Sequence, residues 1–251
     1  MAWTSGSTLG VLAYRAVSGT SLTLTTTAEA AAGEYVVVAL ATANGATTDN
    51  QDNNQYVSTT DSAGGNTWTK LKEWTKTDGA SQDGAEIFLV GSKLTNTIAS
   101  GGTITVNYTA TIIARVISAW RFTIGASSVV SIAGSNAITA TDSHQAISIS
   151  SLANAEYLFF RASSIEQNAS NLTATSGWTL ISSGNTTGGS AVTNQGLNGE
   201  FIITTATSAT SDPTAGATGD TATAMVALSE ASAAPPDWKW SKAPSNTLLR
   251  M

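Results

Sequence analysis

Residues 35–41 read Tyr-Val-Val-Val-Ala-Leu-Ala, and residues 86–90 read Glu-Ile-Phe-Leu-Val. Short apolar runs that are rich in β-branched and aromatic residues are typical of strands in a β-sandwich. The same kind of pattern recurs at residues 9–17, 21–27, 103–108 and 112–122. Clusters of Gly, Asn, Asp and Ser separate these runs and supply the residues that tight turns require. The sequence therefore predicts an all-β, antiparallel fold.

The composition supports strands over helices. Charged residues make up only 11% of the 251 residues, whereas hydrophobic residues make up 41%. Surface helices normally carry Glu and Lys in ion-paired positions, and this chain has few residues with which to build them. The apolar fraction is ordinary for a globular protein, so the low charge does not indicate disorder.

Charge and cysteine content exclude several classes of function. The net charge of −6 disfavours nucleic-acid binding, which depends on clustered Lys and Arg. The chain has no cysteine, which excludes disulfides, cysteine nucleophiles and thiolate metal sites. No apolar run approaches the roughly 18 residues of a membrane helix, and the first residues do not resemble a secretory signal. We expect neither nucleic acid nor membrane insertion.

The second half of the sequence repeats the first in weakened form, at an offset of roughly one sandwich domain. Four segments return in the same order, among them Glu34-Tyr35 as Glu156-Tyr157, Trp68 as Trp178 and Glu86 as Glu200. Thr-rich strands can also resemble one another by composition alone. The repeat predicts two tandem β-sandwich domains, jelly-roll or immunoglobulin-like, at residues 1–125 and 126–232, with their boundary in the stretch between Ile124 and Thr141.

A short extended arm is expected after the second domain. The Pro235-Pro236 pair begins it as a stiff linker, and residues 233–251 form the whole segment. Trp238 and Trp240 alternate, so they would face the same side of an extended chain. Leu248, Leu249 and Met251 add an apolar end. We expect these five side chains to bind a partner, which is either a neighbouring molecule or the chain's own body.

No catalytic set is evident in the sequence. His144 is the sole histidine and lies in a polar turn before a strand, which indicates a solvated residue and leaves little room for a serine triad or a zinc site. Glu73 and Glu86 are acids of the kind that hydrolyse glycosides, but they lie in no recognisable acid/base motif. The start of a strand explains the recurrence of Glu86 without chemistry. The sequence therefore predicts a protein that is not an enzyme.

Two features suggest ligand binding. Asp49 and Asp52 lie in a loop, residues 49–55, that is rich in the oxygen ligands calcium prefers, although it lacks the spacing of an EF-hand. We expect a polar loop without a metal, with a weak calcium site as the alternative. Trp74 has no counterpart in the repeat and is the better candidate for stacking on a sugar ring, whereas Trp68 and Trp178 are expected to pack in equivalent cores.

Residues 61–71 (DSAGGNTWTKL) and 114–122 (ARVISAWRF) resemble segments of β-sandwich domains in virion proteins of tailed bacteriophages, including capsid decoration and tail components. The resemblance implies a virion protein that is made in the host cytoplasm, folds without disulfides and binds other virion proteins or copies of itself. Secreted adhesins and carbohydrate-binding modules use similar sequences, which would imply an extracellular protein that binds a cell-surface glycan. A hydrolase on a jelly-roll scaffold is the third hypothesis.

Overall fold

The computed structural model describes residues 3–77, 82–125, 128–141, 144–166, 172–181, 183–189, 193–215 and 219–232. Within these ranges the chain forms eighteen β-strands and no α-helix, and the strand pairs are antiparallel. The all-β prediction is confirmed. The first half of the chain, up to residue 125, contains β1 to β8, and the second half, from residue 128, contains β9 to β18.

The first half builds one large and one small sheet. The large sheet has the order β1-β8-β3-β6-β5 and consists of β1 (Thr4–Tyr14), β8 (Arg115–Thr123), β3 (Tyr35–Ala43), β6 (Gly84–Lys93) and β5 (Thr69–Thr77). The small sheet has the order β2-β7-β4 and consists of β2 (Gly19–Thr25), β7 (Thr103–Ile112) and β4 (Tyr56–Asp61). All six strand runs predicted from the sequence overlap strands of these two sheets.

The second half builds another large sheet and two short ladders. The large sheet has the order β13-β15-β11-β18-β9 and consists of β13 (Thr179–Leu180), β15 (Gln195–Ala206), β11 (Ala155–Glu166), β18 (Thr221–Ser232) and β9 (Ser128–Ala140), with β14 (Gly184–Asn185) also paired to β15. The ladders join β10 (Ile147–Ile149) to β16 (Ala209–Ser211) and β12 (Leu172–Thr173) to β17 (Thr214–Ala215).

The two large sheets pack face to face in the middle of the molecule. Alternate residues of β3, such as Val37 and Ala39, join Leu158 and Phe160 of β11 in one central core. Phe122 lies at the centre of this core, because its ring meets Phe160 edge-on at 6.3 Å and Phe201 at 5.1 Å. Edge-to-face contacts of this kind stabilise aromatic pairs beyond the area they bury. The central core therefore holds the halves together.

Two outer cores lie on the other faces of the large sheets. Val36, Val38 and Leu40 of β3 point into the first outer core, beneath the small sheet. Tyr157 and Phe159 of β11 point into the second, beneath the β10–β16 ladder. Because successive side chains of a strand face opposite sides, a strand covered on both faces must be apolar throughout. This explains why every residue of β3 is buried and why its sequence does not alternate.

The layering corrects one part of the sequence interpretation. Tyr35 lies in the central core and Tyr157 in the second outer core, so the matched Glu-Tyr pairs face opposite layers. An odd shift in register moves every side chain to the other face of a strand. The match between residues 34–35 and 156–157 therefore does not pair equivalent positions. The stretch between Ile124 and Thr141, interpreted as a boundary, contains the 13-residue strand β9.

Polar contacts close one end of the central core. Gln195 Nε2 donates a hydrogen bond of 2.8 Å to the carbonyl of Gly84, and Ser164 Oγ donates one of 3.1 Å to the carbonyl of Thr42. Lys76 and Asp220 form an ion pair across the halves at the same end. Buried polar groups are costly unless they are paired, so these contacts fix the alignment of the two sheets.

Candidate functional site

The structure brings together Trp74 and the polar loop at residues 49–55. The backbone N–H of Asn50 donates to the carbonyl of Thr75 at 2.9 Å, and the N–H of Thr75 donates to the carbonyl of Gln51 at 3.1 Å. Trp74 Nε1 donates a hydrogen bond of 3.1 Å to Asn50 Oδ1. The loop is thus attached to the outer edge of β5, and the two features that the sequence singled out form one surface.

Trp74 is only half-exposed in this surface. Its side chain packs against the central core, and the ammonium of Lys72 lies 4.9 Å from the centre of its ring. A cation over an indole face is attracted by the ring, and a sugar needs the same kind of face for stacking. A glycan would have to displace Lys72 before it could stack on that face of Trp74.

The two loop aspartates make contacts within the protein. Asp49 Oδ1 accepts a 3.0 Å hydrogen bond from the backbone N–H of Thr77. Asp52 forms an ion pair of 2.9 Å with Lys70 and accepts a hydrogen bond from the N–H of Asn54. Over the described ranges, no group of three or more His, Cys, Asp or Glu residues is placed to hold a metal ion. Calcium binding by this loop remains a hypothesis.

A buried pair of acids lies behind the loop. Glu73 accepts hydrogen bonds from the backbone N–H groups of Gln55, at 2.6 Å, and Tyr56, at 3.1 Å, and its carboxylate lies 3.2 Å from Lys70 Nζ. Glu86 accepts hydrogen bonds from Thr75 Oγ1 at 3.0 Å and from the N–H of Gly45 at 3.3 Å. Burial raises the pKa of Glu86 to about 8, and the nearby Glu73 carboxylate adds to the rise.

These acids are arranged to hold loops. Both side chains are fully buried, and backbone N–H groups of the loops before and after residue 50 point at their oxygens. A buried carboxyl group that accepts backbone N–H bonds organises a loop in the way a capping residue organises a helix end. The expectation that Glu86 marks the start of a strand misses this burial, because the residues around Glu86 give no sign of its hydrogen-bond donors.

The second half contains a buried cationic group that the sequence interpretation missed. Arg161 of β11 has no exposed surface, and burial lowers its pKa to about 10 against the opposing effect of Glu200. Its Nη2 lies 3.4 Å from His144 Nδ1. Arg161 directly follows the apolar run Tyr-Leu-Phe-Phe at residues 157–160. Because alternate residues of a strand face the same side, Arg161 faces the same side as Tyr157 and Phe159, and this position predicts an inward-facing charge.

His144 is half-buried, which corrects the prediction of a solvated turn residue. Its pKa is lowered to about 4, first because it is buried and second because of the positive charge of Arg161. Glu200, which pairs with Arg161 across β11 and β15, accepts hydrogen bonds from Thr175 and from Ser211 Oγ at 2.7 Å. The cluster of His144, Arg161 and Glu200 connects the second large sheet to the segments that cover it.

The edges of the large sheets differ from one another. β5 is an edge strand that carries Lys70, Lys72, Glu73 and Lys76, and the loop at Asn50 pairs with it. In contrast, β1 and β9 are edge strands of 11 and 13 residues without a charged residue. Charges and covering loops are the usual protection of a free edge against other chains. β1 and β9 lack these charges, but their pairing is irregular at two places in β1 and at one in β9.

The remaining predicted site residues divide into two groups. Trp68 and Trp178 are half-buried against the first and second outer cores respectively, and Trp68 Nε1 donates a 2.8 Å hydrogen bond to Asp61. The predicted partner-binding residues Trp238, Trp240, Leu248, Leu249 and Met251 lie outside the described residues.

Comparisons with known protein families, curated proteins and solved structures find no match to this chain. Across the described ranges, no helix is long and apolar enough to cross a membrane.

Proposed function

We propose that this chain is a non-enzymatic structural protein of a virion, a capsid decoration or tail component, that acts through contacts with other virion proteins and with copies of itself. The observation that carries the proposal is the pair of long, uncharged edge strands β1 and β9. Uncharged edge strands of this length can pair with further strands, which supports a function in assembly.

We also infer that the two halves are tandem β-sandwich domains that arose by duplication. In each large sheet, the first strand of that half of the chain is an edge strand and pairs with the last strand of the same half. The third strand of the half is the central strand of the sheet. The orders are β1-β8-β3 in one sheet and β9-β18-β11 in the other. Across the central core β3 contacts β11, while β6 contacts β18 and β8 contacts β15. This exchange of partners is what a two-fold axis through the middle strands would produce.

A first test of the assembly proposal uses the outer edge of β1. Val11 is 41% exposed there, whereas Val17, in the loop after β1, is 62% exposed. Sedimentation velocity should show association of the unmodified chain, loss of association in Val11→Lys, and no loss in Val17→Lys, because only the first substitution places a charge on the edge. A chain that stays monomeric at every concentration, or variants that behave alike, would contradict assembly through this edge.

The virion location needs a separate test. Antibodies raised against the purified chain should label tailed-phage particles from the source of the sequence in immunogold electron microscopy. They should give regular labelling of capsid or tail. Particles from a strain that lacks the gene serve as the control. Expression of the chain without any label on particles would refute the virion proposal and leave assembly through edges untouched.

A second candidate function is glycan or receptor binding by an adhesin. It is favoured by the contact between Trp74 and Asn50, which joins the two predicted ligand-binding features in one surface. A glycan array should then give binding that Trp74→Ala abolishes. Trp178→Ala is the matched control, since Trp178 is also half-buried but lies in the other half. Equal loss in both variants would indicate damage to folding instead of a binding site.

A further inference from the structure

An open groove lies where the two large sheets meet along one side. Its volume is about 460 Å³, and β5, β6, β9 and β18 contribute to its walls. Tyr35, Leu71 and Leu228 give it an apolar floor, and Val129 and Ile132 of β9 add side chains that are 55% and 43% exposed. Apolar side chains that are exposed next to one another in a groove mark a place where further apolar groups bind.

The last described strand, β18, ends at the rim of this groove. The last pairs of β18 with β9 are Ala231 with Val129 and Ser232 with Ser128, and both Ser128 and Val129 line the groove. On its other side β18 pairs with β11 only as far as Ser229. β18 therefore ends beside the groove, where it is paired with β9 alone.

The segment that follows has the chemistry to fill the groove. Trp238 is six residues beyond Ser232, and an extended chain of six residues reaches at most about 20 Å. Trp238 and Trp240 face one side of such a chain and would bring two large apolar side chains together. A segment tethered at the rim has an effective concentration in the millimolar range, which favours the chain's own segment over that of another molecule.

We propose that residues 233–251 dock in the groove of their own chain, with Trp238 and Trp240 against Val129 and Ile132. Charge supports this arrangement. Lys93 is a charged residue of the groove wall, and its ammonium donates to the carbonyl of Ser128 at 2.5 Å. The Asp237 carboxylate, next to Trp238, carries the charge opposite to that of Lys93. Docking of this kind does not depend on the proposed function.

Engineered cysteines provide a direct test, because the chain contains none of its own. The variant Val129→Cys with Ser241→Cys should form a disulfide within one molecule under mild oxidation, seen as a mobility shift on a non-reducing gel. Val57 is the matched control, since it is 57% exposed but lies on β4 in the first small sheet. Val57→Cys with Ser241→Cys should not form the bond, because two Cα atoms more than about 7 Å apart cannot be bridged.

Each other outcome overturns the proposal. Disulfide-linked dimers of the Val129→Cys, Ser241→Cys variant would show that the segment binds a second copy, and equal bond formation with Val57→Cys would show that it has no fixed site. A second measurement uses the full chain with Val129→Cys and follows the reaction of this cysteine with a maleimide. Adding Trp238→Ser and Trp240→Ser should make the reaction about tenfold faster, because the docked segment no longer covers the cysteine. Val57→Cys should react at an unchanged rate, and an unchanged rate at Val129→Cys would also refute docking.

Discussion

Lys76 Nζ lies 3.4 Å from Asp220 Oδ2, and this ion pair joins the two halves with both side chains more than nine-tenths buried. Removal of one partner from a buried pair leaves a charge without compensation. We expect Lys76→Met to lower the free energy of unfolding in urea by about 3 to 5 kcal/mol. Adding Asp220→Leu should recover much of this loss, because the second buried charge is then removed as well.

A more exposed pair serves as the control. Arg121 and Glu34 lie 3.3 Å apart, with side chains 32% and 15% exposed. Arg121→Met should cost about 1 kcal/mol or less, since solvent screens such pairs. If Lys76→Met and Arg121→Met cost the same, the pair between the halves contributes no more than a surface contact.

The buried acid Glu86 should make stability depend on pH. Its pKa is raised from 4.5 to about 8 by burial and by Glu73. Between these values the folded protein holds a proton on Glu86 that the unfolded chain has released, so the contribution of Glu86 to the free energy of unfolding should fall as pH rises from about 4.5 to about 8 and then level off. Urea titrations of Glu86→Gln should lack most of this fall. Parallel curves for Glu86→Gln and the unmodified chain would show that Glu86 does not titrate in this way.

His144 offers a titration that can be read directly, because it is the chain's sole histidine. Its pKa is lowered from 6.5 to about 4 by burial and then by Arg161. In this interval the unfolded chain binds a proton on His144 that the folded chain does not bind, so the contribution of His144 to stability should decrease as pH falls from 6.5 towards 4, opposite in sign to that of Glu86. The imidazole C–H proton signal in NMR should give a midpoint near 4. A midpoint near 6.5 would place His144 in solvent.

Gly84, the first residue of β6, should not tolerate a side chain. It has a φ of +131°, and an added Cβ would lie 2.3 Å from the carbonyl oxygen of Lys76. We expect Gly84→Ala to lower the free energy of unfolding by about 2 to 4 kcal/mol, from backbone strain and overpacking together. Gly33 has a φ of +92° with no atom within 4 Å of an added Cβ, so Gly33→Ala should cost only about 1 kcal/mol. Equal costs would mean that the close approach to β5 is easily relieved.

The strands of the first half were predictable because apolar runs and turn residues are local signals. Residues 35–41 and 86–90 indicate strands without any knowledge of their partners, and both lie in the first large sheet. β9 was not predicted as a strand, because its Ser, Ala, Gly and Asn residues look like a linker and its structure comes from pairing with β18. The layer that each strand faces also depends on packing, which is why Tyr35 and Tyr157 were wrongly matched.

The candidate site was predictable only in part. The sequence indicated Trp74 and the loop at residues 49–55 through their composition, and the structure places them in contact. Their roles depend on long-range neighbours: Lys72 over the Trp74 ring, and Lys70 beside Asp52. The burial of His144 against Arg161 likewise joins residues from separate segments, for which the sequence around His144 gave no signal.

The fully buried strand β3 has a consequence for how this molecule can change over time. A polar replacement on either face of β3 would enter a closed core, so divergence at these positions requires compensating changes in a neighbouring layer. The loop at residues 49–55 and the outer edges of β1 and β9 are free of that constraint. New binding partners can therefore be acquired at the periphery while the stacked interior stays the same.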